Sequence, residues 1–304
     1  MDNNTDPIYA DVFNFFHHSS SGANRPNDLQ FMEVSIARPA KIFSLANAPM
    51  ISGKLAETHT KNVLLEHQTE TESFRSVLAE LQAFKPLSYS EADSKKQDII
   101  LNGQYVSDET GDEDTVFALT LKHMLMAVKE AVRGENKVVG GQWASVEMDG
   151  LELPYIGELD LMTRGVVELK TQWPFLDKAK TSKRGWKVNS LPAKPKPEHV
   201  WQVALYWKWM KNKSDNVPVK LVYANCKSFR IFSSEDCEQL SDASLNDALN
   251  HLRVVAKTRE KLMKKAGTVK GLLEIVMPDF GHWMWRDKSP EFKQLAEKSW
   301  GEVL

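Results

Sequence analysis

Between Glu152 and Gln172 the chain reads ELPYIGELDLMTRGVVELKTQ, two short runs in which apolar and charged residues alternate, hinged at Arg164-Gly165. A period of two marks a half-buried strand, and two such runs around a glycine-bearing turn predict an antiparallel hairpin. The length of the turn sets the register. With Arg164-Gly165 alone as the loop, Thr163 faces Val166, and Asp160 and Glu168 point to opposite faces. With Thr163-Arg164-Gly165 as the loop, Met162 faces Val166. Asp160 then lies opposite Glu168 and Glu158 opposite Lys170 on one face, while Leu159, Leu161, Val167 and Leu169 line the other. Three-residue loops commonly end on a left-handed glycine, so the longer loop is expected, with Gly165 at positive φ.

Carboxylates gathered on one face raise one another's pKa unless a cation sits among them. Oxygen donors of this kind suit a hard divalent ion, Mg²⁺ or Mn²⁺. The competing reading is a solvated sheet face on which Glu and Lys pair across strands.

The rest of the 304 residues frames this hairpin. The first 30 or so are polar, with turn signals at Gly22 and Pro26, and read as a loosely structured leader within an N-terminal extension over 1–50. Residues 51–84 have helical periodicity, as two helices stopped by Pro86. A polar, acidic stretch near 86–115 reads as an insertion, followed by an amphipathic helix ending near Gly134. Gly141, Asp149-Gly150 and Arg164-Gly165 then break a meander of short strands. A Lys- and Pro-bearing loop, a helix around 198–212, two more strands and a long helix from Asp242 to Lys265 complete a domain over 51–304 with a C-terminal helical extension. The expected fold class is α/β or α+β, with a central mixed sheet flanked by helices.

Composition narrows the function by exclusion. Lys plus Arg number 39 against 41 Asp plus Glu, so no global charge announces a nucleic-acid or membrane partner. Two cysteines, Cys226 and Cys237, are too few for a disulfide scaffold or a four-cysteine iron-sulfur cluster, and no iron-sulfur cofactor is expected. No apolar run reaches the roughly 20 residues that span a bilayer. The N-terminus lacks the pattern of a signal or transit peptide, so a cytoplasmic setting is expected.

Four short motifs follow one another in the chain: Gly53 with His59, then Gly157-Glu158-Leu159-Asp160 as GxxD, Glu168-Leu169-Lys170 as ExK, and Gln202 with Tyr206 as QxxxY. In this order they resemble the RecB-type branch of the PD-(D/E)XK nucleases, most closely the mitochondrial genome maintenance exonucleases, over roughly residues 50–225. The resemblance implies a mixed sheet flanked by helices and a Mg²⁺- or Mn²⁺-dependent hydrolysis of DNA, from single-stranded ends, in replication, recombination or repair. A bacterial or phage-infected cytoplasm suits such a chain. It implies metal ligation by His59, Asp160, Glu168 and the Leu169 carbonyl, catalytic roles for Asp160, Glu168 and Lys170, and support from Gln202, Tyr206, Glu158 and Glu66. Because some 100 residues separate His59 from Asp160, His123 is a rival ligand. A structure-specific or restriction-type endonuclease, or a nucleic-acid-binding scaffold with a degenerate core, are the alternatives.

One local charge bias remains. From Lys178 to Lys196 the chain carries seven basic residues and no acidic one, between the ExK strand and the QxxxY helix. Its prolines disfavour a helix. Lys183, Arg184 and Lys187 are expected to contact the phosphates of DNA, and Trp186 to offer a ring on which a base stacks.

Overall fold

The expected leader is folded. The structure, a computed structural model, describes residues 8–303; the first seven residues of that leader lie outside them. A π-helical turn at Ile8–Val12, helices α1 (Ser20–Ala23) and α2 (Asn27–Phe31), and a second π-helical turn at Met32–Ala37 open the chain. Tyr9, Phe13, Phe15 and Phe31 are buried in one cluster with Leu153, Met263 and Leu272. A short run rich in apolar residues, IYADVFNFF, supplies most of the aromatic side chains of this cluster.

Two helices occupy the 51–84 segment as expected, α3 (Ala48–Leu64) and α4 (Glu70–Ala83). Thr69 starts the second, because its hydroxyl accepts from Glu72 N while the Glu72 carboxylate takes the Thr69 N–H, a reciprocal cap. The polar stretch after Pro86 is structured. It forms α5 (Glu91–Asn102), β1 (Gln104–Val106) and β2 (Glu113–Thr115), with Ile100 in the core beside Leu55, Leu81 and Phe117. Buried Asp93 accepts from Ala48 N and Leu87 N, which ties α5 to the start of α3.

Helix α6 (Val116–Ala131), capped by Thr115, leads into β3 (Val139–Val146), β4 (Tyr155–Met162) and β5 (Val166–Thr171). Gly141 does not break β3: it sits inside the strand at φ +65, a kink that glycine tolerates. The basic loop holds a small hairpin, β6 (Phe175–Leu176) with β7 (Trp186–Lys187), before α7 (Pro197–Lys211), β8 (Val219–Ala224) and β9 (Phe229–Ser233). The main sheet runs β3-β4-β5-β8-β9, with β5 and β8 parallel and β4-β5 and β8-β9 antiparallel. The sheet is therefore mixed and flanked by helices. Leu161, Val167, Leu169 and Val222 pack against Met124 and Val128 of α6, so the expected apolar face is buried. Each such side chain taken fully out of water is worth about 1.5–3 kcal/mol.

The chain ends in α8 (Asp242–Ala266), α9 (Val269–Ile275), α10 (Trp283–Arg286) and α11 (Pro290–Gly301). It divides into two units along lines that the sequence does not announce. One takes the described residues up to Leu45, Trp143–Gly157 and Asn246 onward; the other takes Ala46–Gln142 and Glu158–Leu245. In the first, Glu260 of α8 accepts from His18 Nε2 at 3.0 Å and from Glu152 N and Leu153 N, while buried Arg259 donates to Gly22 O, Arg25 O and Asn27 Oδ1. Among the described residues no helix is long and apolar enough to cross a membrane.

Candidate active site

The site lies in the second unit, where β4 and β5 part. Met162 pairs with Val166 and Leu161 with Val167, so the loop is Thr163-Arg164-Gly165 and the three-residue register holds. Beyond Leu161 the ladder ends. The Asp160 side chain enters the gap, and its Oδ2 accepts from Leu169 N at 2.8 Å. A residue's N–H and C=O project to the same side of a strand, so the Leu169 carbonyl also faces the side on which β4 has left.

Gly165 is required for a different reason from the one expected. It is not among the residues at positive φ. Instead a Cβ there would lie 1.9 Å from Pro218 O, the same carbonyl that accepts from Val166 N at 2.9 Å. The glycine permits close approach of two backbones.

Glu168 is fully buried. Its Oε1 accepts from Lys170 Nζ at 2.6 Å, and its Oε2 is buried with no hydrogen-bond partner. From Lys170 the bonding has a fixed direction, because an ammonium only donates. Lys170 Nζ donates to Gln202 Oε1 at 2.9 Å, Gln202 Nε2 to Tyr206 Oη at 3.1 Å, and Tyr206 Oη to Glu158 O at 2.7 Å. QxxxY thus braces the lysine of ExK and the backbone of GxxD at once. One turn of α7 separates Gln202 and Tyr206, which sets both on the face toward β5.

Burial, then the Glu168 charge, then that of Glu57, push the Asp160 carboxyl well above the usual carboxylate range. Burial also raises Glu168, against the pull of Lys170. Burial works against the Lys170 ammonium, but Glu168 and Asp160 hold its pKa above the ordinary value. Burial, with the Glu168 charge second, keeps the Tyr206 hydroxyl protonated. The result is a charged lysine clamped beside two buried carboxyls that act on one another, with Glu168 Oε2 lacking a donor.

Three residues belong here that sequence reasoning missed. Glu57 of α3 is close enough to act on both carboxyls, and Lys61, one turn on, pairs with it and feels Asp160 and Glu158. Glu and Lys four apart on a helix beside Gly53 were the available signal. Gly53 itself allows α3 close to β5, since a Cβ there would meet Thr171 Oγ1 at 3.1 Å. His199, in the first turn of α7, bonds Tyr223 Oη at 2.7 Å and is held neutral by burial and by Lys170 and Lys196, its pKa pushed down to about 3.

Several expected participants stand elsewhere. His59 is two residues from Glu57, about 200° around the helix. It is buried against α4 with Nδ1 bonded to Ser73 Oγ at 3.0 Å, and it lines a separate cavity with Glu70, Phe74 and Asp114. His123 has both nitrogens engaged, Nδ1 donating to Asn225 O at 2.7 Å and Nε2 bonded to Ser107 Oγ at 2.8 Å. Glu66 lies past the end of α3, exposed and at φ 58. Glu158 contributes its backbone carbonyl, and its side chain is exposed. Trp186 is no stacking platform: it is 7% exposed, packed with Tyr105 and Trp173 in the core. Lys183, Arg184 and Lys187 are exposed, Lys187 paired with Asp177 at 3.4 Å.

Among the described residues no three His, Cys, Asp or Glu side chains stand close enough to hold a metal ion by themselves. The donors available are the Asp160 and Glu168 carboxylates and the Leu169 carbonyl. Magnesium is commonly bound through one or two carboxylates, with water and substrate phosphate supplying the rest, and the unsatisfied Glu168 Oε2 fits such an ion. No family model matches this sequence, and comparison with curated proteins finds no match either.

Proposed function

We propose that this protein is a metal-dependent deoxyribonuclease that hydrolyses phosphodiester bonds from single-stranded DNA ends, in replication, recombination or repair. The observation that carries the reading is the buried Asp160–Glu168 pair with its unsatisfied Oε2 beside the clamped Lys170. The order of the GxxD, ExK and QxxxY motifs supports it.

A divalent ion held by these carboxylates would lower the pKa of water and polarise a phosphoryl oxygen. Asp160 and Glu168 would hold it with the Leu169 carbonyl, and Asp160 is oriented by the Leu169 N–H. The water oxygen forms a bond to phosphorus and gives up a proton, the P–O bond to the leaving strand breaks, and the departing oxygen takes up a proton in its place. Lys170 supplies a fixed positive charge where negative charge grows on the phosphoryl oxygens, a role worth most when the donor is already positioned. Gln202 and Tyr206 keep its ammonium there. His199, neutral, adds no charge that would compete with the ion.

The test is digestion of end-labelled linear and closed circular DNA, single- and double-stranded, with Mg²⁺, Mn²⁺ or EDTA. Metal-dependent loss of linear single strands with intact circles supports the reading. Cleavage of circles makes the protein an endonuclease, and binding without cleavage makes it a scaffold.

A further inference from the structure

Beside the β6-β7 hairpin lies a cavity of about 520 Å³, bordered on its other side by the turn that joins β8 to β9. Its charged lining has one sign: Lys183, Arg184, Lys187, Lys227 and Arg230, with no Asp or Glu. Lys187 is balanced by Asp177 at 3.4 Å and Lys227 by Asp108 at 2.9 Å. Among the described residues Lys183, Arg184 and Arg230 have no carboxylate within ion-pair distance.

Several contacts hold the frame that carries these cations. The Arg184 guanidinium lies 5.1 Å over the Tyr105 ring and 5.6 Å over that of Trp186, whose other contacts are with the core. Arg230 donates to Pro192 O at 2.7 Å. Asn225 Oδ1 accepts from Lys227 N and Ser228 N, both at 2.9 Å, and the Asn225 carbonyl is pinned by His123. His123, no partner of the carboxylates, thus fixes the turn that presents Lys227 and Arg230. Like charges held near one another repel unless an anion lies among them, and guanidinium groups match phosphate oxygens in pairs.

Charge and size select the anion. A phosphodiester inside a strand carries one negative charge, whereas a phosphate monoester carries about 1.5 to 2 at neutral pH and three acceptor oxygens. Three uncompensated cations match the monoester better. The volume is that of a small-ligand site, large enough for a terminal nucleotide. Tyr223 pairs with Lys170 across β5 and β8, and Asn225 follows two residues later, roughly 7 Å along the strand. We infer that this cavity seats the phosphate monoester at a DNA strand end, an assignment that rests on the nuclease reading and gives it a means of recognising ends.

The same chemistry could come from free phosphate or a mononucleotide, and the experiment separates them. The full chain in EDTA is titrated, by fluorescence anisotropy, against a decathymidylate bearing a 5′-phosphate, a 3′-phosphate or neither, and by calorimetry against inorganic phosphate and thymidine 5′- and 3′-monophosphate. Phosphorylation of one end should tighten oligonucleotide binding about tenfold. Lys183→Gln and Arg230→Gln, each checked for an unchanged melting temperature, should each remove most of that preference and leave the hydroxyl-ended strand bound about as before. Equal binding of phosphorylated and unphosphorylated strands would overturn the assignment, as would a preference that survives both substitutions. Arg230-dependent binding of monophosphates without end preference would show a free-phosphate site and overturn the strand-end assignment alone. Arg230-dependent end preference in a protein that cleaves no DNA would uphold the cavity and overturn the nuclease reading.

Discussion

Replacing Asp160 by Asn should make the metal-free protein more stable while making it inert. Asp160 is buried next to Glu168, with Glu57 near, and these raise its folded-state pKa above the unfolded value. A raised carboxyl binds its proton more tightly in the folded state. Stability from this group is therefore greatest at acid pH and falls as pH climbs from the unfolded to the folded pKa, each unit of difference being worth about 1.4 kcal/mol. Asparagine keeps an oxygen for the Leu169 N–H, deletes the charge, and brings an amide that can donate to the unsatisfied Glu168 Oε2. A hydrogen bond to a charged acceptor is worth about 1.5–3 kcal/mol, so a gain of about 2 kcal/mol at pH 7.5 is expected, or roughly 4–8 °C in melting temperature. Urea unfolding of both proteins in EDTA from pH 5 to 9 is the assay. The wild type should lose stability with rising pH more steeply than Asp160→Asn. If Asp160→Asn is the less stable of the two at pH 7.5, or if the slopes coincide, the carboxyls are satisfied by something other than a bound ion.

Lys170→Ala should lower cleavage by at least about 100-fold while Mn²⁺ binding persists, since the ammonium acts on phosphate or water and not on the ion; a single-turnover rate within tenfold of wild type would remove it from the mechanism. Glu57→Gln should weaken Mn²⁺ binding, and His59→Gln should leave it within about twofold, a contrast that calorimetry reads directly and that reverses if α3 presents its other face. Gly165→Ala forces Pro218 O away from Val166 N and should destabilise by about 2–5 kcal/mol in urea, well above the roughly 1 kcal/mol expected of a left-handed glycine. Trp186→Ala should cost about 3–5 kcal/mol as a core truncation, whereas a loss of DNA affinity with unchanged stability would restore it as a stacking surface.

What could be read from sequence was whatever local periodicity determines. The β4-β5 hairpin, its three-residue loop and its two faces follow from alternation between Tyr155 and Thr171, and α6 and α8 follow from their apolar stripes. Helix α5 was hidden because EADSKKQDIILN buries little but Asp93, Gln97 and Ile100, two of them polar. The opening segment was hidden because its apolar run, IYADVFNFF, is short, lacks a regular period and is followed by a polar stretch. The site divides in the same way. Asp160, Glu168, Lys170, Gln202 and Tyr206 come together because strand register and helical spacing put them there. His59 against Glu57 was a question of how α3 is rotated, and that is set by Gly53 packing on Thr171. The burial of Trp186 was hidden because it depends on packing against Tyr105, far off in sequence.

Whether Asp160 and Glu168 form a divalent-metal site is decided by titrating the protein with Mn²⁺ at pH 7.5 and counting the free ion by electron paramagnetic resonance. Wild type should take up Mn²⁺ at a site lost in both Asp160→Asn and Glu168→Gln. Uptake unchanged by these substitutions, or no uptake by wild type, would contradict it.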